Sequence, residues 1–146
     1  MPHELVVREG WRLATLVARS TAMAFEPDQL DKRDAREVRA IVPIARLINE
    51  RYLRLRRDGL EHIERVAAEP VLFVSNHNAG IRAPDLTYTL ATLWEALGSE
   101  TPLYALAHDF VMRQLTPLGR LLQRIGAVRA LPENELPVLD RGGSLV

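Results

Sequence analysis

The clearest pattern of apolar and polar positions lies between residues 71 and 97. Four consecutive apolar residues, Val71 to Val74, read as a strand buried on both faces, the habit of a central strand in a parallel sheet. The polar tripeptide Ser75-Asn76-His77 follows directly, and Gly80 and Pro84 mark a turn. Leu86, Leu90, Leu93, Trp94 and Leu97 then recur at helical spacing, stopped by Gly98. The stretch predicts strand, loop, helix. It puts His77 just past the carboxyl end of the strand, where open α/β sheets hold ligands, and Asp85 at the mouth of the helix.

The rest of the chain alternates in the same way. Residues 4–24 predict a helix whose broad apolar face carries Leu5, Trp11, Leu13, Leu16, Val17 and Met23, interrupted by Arg12 and Arg19. It reads either as a helix packed on the domain or as an interfacial helix with Trp11 and the arginines at headgroup level. A polar loop around Pro27 separates it from a second helix bearing Val38, Ile41, Val42, Ala45, Ile48 and Tyr52. Pro43 predicts a kink or a late start there. Leu53 and Leu55 alternate with Arg54 and Arg56 as a half-wet strand, ended by Gly59 before a short helix at 61–68.

A strand at Leu103–Ala107 is expected beside 71–74, with His108-Asp109 at its end, Asp109 as a helix cap and His108 in the loop. Thr116-Pro117 opens a helix that Gly126 stops. Arg113, Arg120 and Arg124 read as one outer helix face. Ala127–Arg129 is a short strand, 133–140 a helix containing Pro137, and Ser144–Val146 the start of another strand after the Arg141–Gly143 turn. The predicted class is α/β, a mostly parallel sheet with helices on both faces. Residues 1–34 form an N-terminal helix and loop, and 35–146 the α/β part.

Composition narrows the chemistry. The formal net charge of zero gives no field that would draw the chain to nucleic acid. With no cysteine there is no disulfide framework, thiolate nucleophile or zinc-thiolate site. No apolar run approaches the ~20 residues of a membrane-spanning helix. Charges at Glu4, Arg8, Glu9 and Arg12 break up what would be the core of a secretory signal. The expected location is cytoplasmic, with a peripheral place at the inner face of the membrane if the first helix is interfacial.

Ser75-Asn76-His77, the Gly80 loop and Asp85 together resemble the first motif of the lysophospholipid acyltransferase superfamily, which includes the 1-acylglycerol-3-phosphate acyltransferases. The usual motif is His, four residues, Asp; Arg82 stands where that Asp would be. The longer spacing to Asp85 is similar to a divergent branch whose motif reads Asn-His-Ser-Gly-Gly-x-x-Pro-x-Asp. The resemblance covers about residues 48 to 146, from Arg51-Tyr52-Leu53-Arg54-Leu55 as a lead-in strand to Gly126-Ala127-Val128-Arg129 as the approach to a second motif. It implies a glycerolipid acyltransferase-like fold. The donor would be acyl-CoA or acyl-carrier-protein thioester as co-substrate, with no other cofactor, and the acceptor a lysophospholipid or related glycerolipid.

Within that reading His77 is the general base for the acceptor hydroxyl and Asp85 the carboxylate that orients it. Asp85 alone could equally be a helix cap. The candidate substrate-binding residues are Asn76, Arg82, Gly126 and Arg129, with Arg129 first and Arg82 second for an acceptor phosphate. A metal-dependent hydrolase using His77, Asp85, His108 and Asp109 is a weaker alternative, since the spacing matches no metal motif. The family continues with a strand and a Phe-Pro-x-Gly motif that this stretch does not reach. The resemblance therefore implies an incomplete domain, and a catalytically inactive fragment is the other alternative. On that view the chain alone exposes an apolar patch beside its last strand and transfers no acyl group.

Overall fold

The fold was obtained as a computed structural model, which describes residues 2–21, 25–66, 68–77 and 84–146. Helix α1 spans Pro2–Thr21, with Glu4 in its first turn and Arg19 in its last, each matched to the helix dipole. Helix α2, Ala35–Leu47, is capped by Asp34, whose carboxylate accepts from Arg36 N at 2.8 Å. It begins well before Pro43 and runs through it, so there is no late start. A π-helical turn, Ile48–Tyr52, extends it.

The strand expected at 53–56 does not form. Leu53 N and Leu55 N bond back to Ile48 O and Asn49 O, and Arg54 takes φ +52°, which no strand residue adopts. Period-2 alternation specified a wet and a dry face there, but among the described residues no neighbouring strand supplies the ladder. Helix α3 follows at Leu60–Val66 and α4 at Pro84–Leu97. Strand β1 is Leu103–Ala107, α5 Asp109–Arg113, α6 Thr116–Arg124, β2 Ala127–Arg129, α7 Pro132–Asp140 and β3 Ser144–Leu145.

The three strands form a parallel sheet in the order β2-β1-β3, flanked by helices. Ala105 stands opposite Ala127, and Leu103 opposite Ser144. The 71–74 run is not the central strand beside β1. It pairs on the far side of β3, through a parallel bridge from Leu72 to Leu145, with Phe73 N donating to Leu145 O at 2.8 Å and Leu145 N to Val71 O at 2.9 Å. At this edge Val71 and Phe73 are half-buried, while Leu72 is 57% and Val74 86% exposed. The fully buried place falls to Leu145, at 1%. A run of four apolar residues cannot say which strand inserts next to β1, because parallel neighbours are chosen by packing far along the chain.

The main core joins Val38, Leu90, Leu93, Trp94, Leu103, Ala105 and Ile125, with Phe73 packed against it. A second cluster, Leu16, Ile44 and Leu121, ties α1 to α2 and α6. Beside it Arg124 reaches Asp34 at 2.8 Å and buried Glu37 at 3.0 Å, and Arg19 reaches Glu37 at 3.1 Å. Arg124 therefore does not share an outer face with Arg113. Gly119 lets α6 cross α5, since a Cβ there would lie 2.4 Å from Met112 O. Among the described residues no helix is long and apolar enough to cross a membrane.

Candidate active site

The chain leaves the edge segment at Val74 and runs out past the carboxyl ends of the strands to His77. Helix α4 is seated in the core through Leu90, Leu93 and Trp94, so its first turn is a fixed platform. Tyr88, one turn beyond Asp85, braces that platform by donating its hydroxyl to Arg56 O at 2.9 Å. The two groups meet there: His77 Nδ1 lies 3.0 Å from Asp85 Oδ2. The side chain of His77 is 55% exposed and that of Asp85 27%.

This contact fixes the proton arrangement of a neutral His77. An ionised carboxylate only accepts, so the shared proton sits on Nδ1. Nε2 then carries the lone pair. The result is an oriented, solvent-facing base backed by a partly shielded carboxylate that can stabilise the imidazolium. Asn76 is exposed next to it in sequence.

Arg129 and Gly126 are not gathered around this pair. Arg82 and Gly80 lie outside the described residues. Arg129 ends β2, on the opposite side of the sheet from the 71–73 segment. Three inter-strand steps separate the two, or about 14 Å at roughly 4.8 Å each. Its guanidinium is also engaged, with Asp28 on one side and Asp109 Oδ1 at 3.0 Å on the other. Hydrogen bonds to both carboxylates raise its pKa. The same contact with Arg129, helped by Arg113, lowers that of Asp109. Gly126 lies at the amino end of β2, away from His77. It has φ +100°, and a Cβ there would stand 2.8 Å from Leu103 O, so its place in the fold is a tight helix-to-strand turn.

His108 and Asp109 do not join the pair. It is His108, not Asp109, that caps α5, its Nδ1 accepting from Phe110 N at 3.1 Å. Among the described residues no three His, Cys, Asp or Glu side chains are grouped to hold a metal.

Two features at the site carry weak sequence signals. Tyr88 is legible only as a polar residue one turn after Asp85. Arg56 enters through its backbone, which no side-chain pattern reports. Asp28, the partner of Arg129 from 101 residues away, has no local signal at all. Comparison of the chain with protein-family models, with curated proteins and with solved structures finds no match.

Proposed function

We propose that the protein is an O-acyltransferase. It moves a fatty acyl group from a CoA or acyl-carrier-protein thioester to a hydroxyl of a lysophospholipid or related glycerolipid. The reading is supported above all by the 3.0 Å contact between His77 Nδ1 and Asp85 Oδ2 at the carboxyl edge of a parallel sheet. The Asn-His motif adds its resemblance to the acyltransferase superfamily. His77 Nε2 takes the acceptor hydroxyl's proton as the oxygen attacks the thioester carbonyl. The tetrahedral adduct collapses, the C–S bond breaks, and the proton held by His77 leaves with the thiolate. Asp85 holds the ring throughout and offsets its positive charge. No covalent enzyme intermediate is needed.

The test is thiol release from a long-chain acyl-CoA with lysophosphatidate as acceptor. His77→Ala is expected to lose on the order of 10²–10⁴ in rate while its circular dichroism is unchanged. Near-normal turnover by the variant would remove His77 from the mechanism. Wild-type protein that releases no thiol above background would favour a non-catalytic reading.

A further inference from the structure

We propose that the turn through residues 48–56 is the docking surface for an acidic carrier protein that brings the acyl thioester to His77. The inference rests on the acyl-transfer reading and adds where the donor docks and of what class it is. Its basis is a group of cations without counter-charges. Arg51, Arg54 and Arg56 are exposed, and among the described residues none of their guanidinium groups has an ion-pair or hydrogen-bond partner. The carboxylates nearby are taken by other arginines: Glu95 by Arg46 at 2.6 Å and by Arg57, and Glu50 by Arg57 at 3.6 Å. Asp58 follows in the sequence and pairs with none of the three. The helix dipole favours a cation at Arg51, in the π-helical turn, but Arg54 and Arg56 lie beyond that turn. The backbone is nonetheless held in one shape. Leu53 N and Leu55 N close it on Ile48 O and Asn49 O, and Arg54 keeps its strained φ of +52°.

The apolar members of the same turn select a protein over a small anion. Tyr52 is 82% exposed between the arginines, and Ile48 and Leu55 are exposed at helical spacing from it. Aromatic and aliphatic side chains interleaved with arginine are the composition of a protein–protein contact, with Tyr and Arg its usual anchors. A single phosphate is held by one or two guanidinium forks and has no use for an exposed phenol and two aliphatic side chains. The unmatched positive charge calls for carboxylates on the partner. The position of the turn selects which acidic protein docks there. Arg56 O accepts the Tyr88 hydroxyl at 2.9 Å, and Tyr88 follows Asp85 by about one turn of α4, a rise of roughly 5.4 Å. The surface therefore stands beside the His77–Asp85 pair, offset by a helical turn and a tyrosine side chain. A carrier that holds its thioester at the end of a flexible phosphopantetheine arm needs such an offset, because its body docks to one side while the arm reaches the base.

Fluorescence anisotropy of a dye-labelled acyl-carrier protein, titrated with the whole chain, tests this. The carrier is used without its phosphopantetheine arm, so that only the surface contact is read. Saturable binding is expected, weakening as salt rises and not displaced by free CoA. Tyr52→Ala should weaken it by roughly fivefold or more, and Arg54→Glu/Arg56→Glu by roughly tenfold or more. Arg54→Gly removes one charge while suiting the left-handed backbone, so its loss of binding, about fivefold, cannot come from a broken turn. All these side chains are exposed, and circular dichroism checks that the variants fold. Absence of carrier binding would overturn the proposal, as would equal affinity of wild type and variants. Displacement by free CoA would make the turn a small-anion site, and displacement by phosphatidylglycerol vesicles a lipid site; either result overturns it. Thiol release from palmitoyl-CoA, measured alongside, separates the two readings. Release without carrier binding sinks the docking surface alone. Carrier binding lost in the variants, with no thiol release from either donor, supports the surface and sinks acyl transfer.

Discussion

A histidine whose Nδ1–H donates a hydrogen bond to a carboxylate has one nitrogen left for chemistry, and which nitrogen that is depends on the carboxylate's being unable to donate. Asp85→Asn separates this from simple proximity. The amide keeps the shape and any capping of α4, but its NH2 group can donate to Nδ1 and move the ring proton to Nε2. The expected result is a folded protein whose kcat falls by on the order of 10² or more. An Asn variant with wild-type kcat would show that Asp85 does no more than begin the helix. Charge pairing elsewhere affects folding instead. Asp109 is held below the ordinary carboxylate range chiefly by its hydrogen bond from Arg129. A carboxylate whose pKa is lower folded than unfolded contributes stability above about pH 4 and loses it as pH falls through the folded value. In Asp109→Asn the decline of the urea midpoint below that pH should therefore be shallower than in wild type. Parallel declines would mean that the pair with Arg129 adds nothing.

At the scale of elements, the edge segment 71–74 is where the two faces of one strand diverge most. Phe73 packs on the main core and donates its amide to β3, while Val74 stands 86% exposed. Phe73→Ala should cost about 2–4 kcal/mol, toward the lower end for a half-buried ring, and Val74→Ser less than about 0.5 kcal/mol. Chemical denaturation of both variants checks this, and equal losses would restore the two-faced burial that four apolar residues in a row imply. The same segment shows what the pattern can and cannot carry. Helices α1, α2, α4 and α6 and the strands at 103–107, 127–129 and 144–145 are legible because caps, glycine stops and apolar spacing are local. The meeting of His77 with Asp85 is legible for the same reason, since one strand, one loop and one helix turn decide it. The order of strands is not, because β3, 70 residues later in the chain, inserts between β1 and the edge segment through contacts no local pattern encodes. Leu53–Arg56 fails in the opposite sense: its alternation is real, but the chain closes back on Ile48 and Asn49 and the strand never finds a partner. Arg129 looked available to an acceptor phosphate only because Asp28 and Asp109, which neutralise it, are remote or belong to another element.

Across the whole molecule, α1 is a structural member packed through Leu16 and Val17, with Trp11 turned to solvent. Its inner side meets α2 and α6 through Leu16, packed with Ile44 and Leu121, and through Arg19 on buried Glu37. Glu37 also receives Arg124 from α6, so one carboxylate links three helices. Further ties run from the segment after α1 into the sheet. Arg33 donates to the carbonyls of Leu103, Ser99 and Thr101, and Tyr104 donates its hydroxyl to Leu30 O. Unfolding α1 would thus expose the second hydrophobic cluster and take from Glu37 the Arg19 partner on that helix, and its loss should be felt by the sheet. Two truncations five positions apart distinguish the sides. Leu16→Ala opens a cavity in the cluster and should cost about 2–5 kcal/mol, lowering the single thermal transition rather than adding an early one. Trp11→Ala removes a larger side chain, yet it should change stability by no more than about 0.5 kcal/mol, because water already covers the indole. If Trp11→Ala were the more destabilising of the two, α1 would be packed through the opposite face, with the indole in the core.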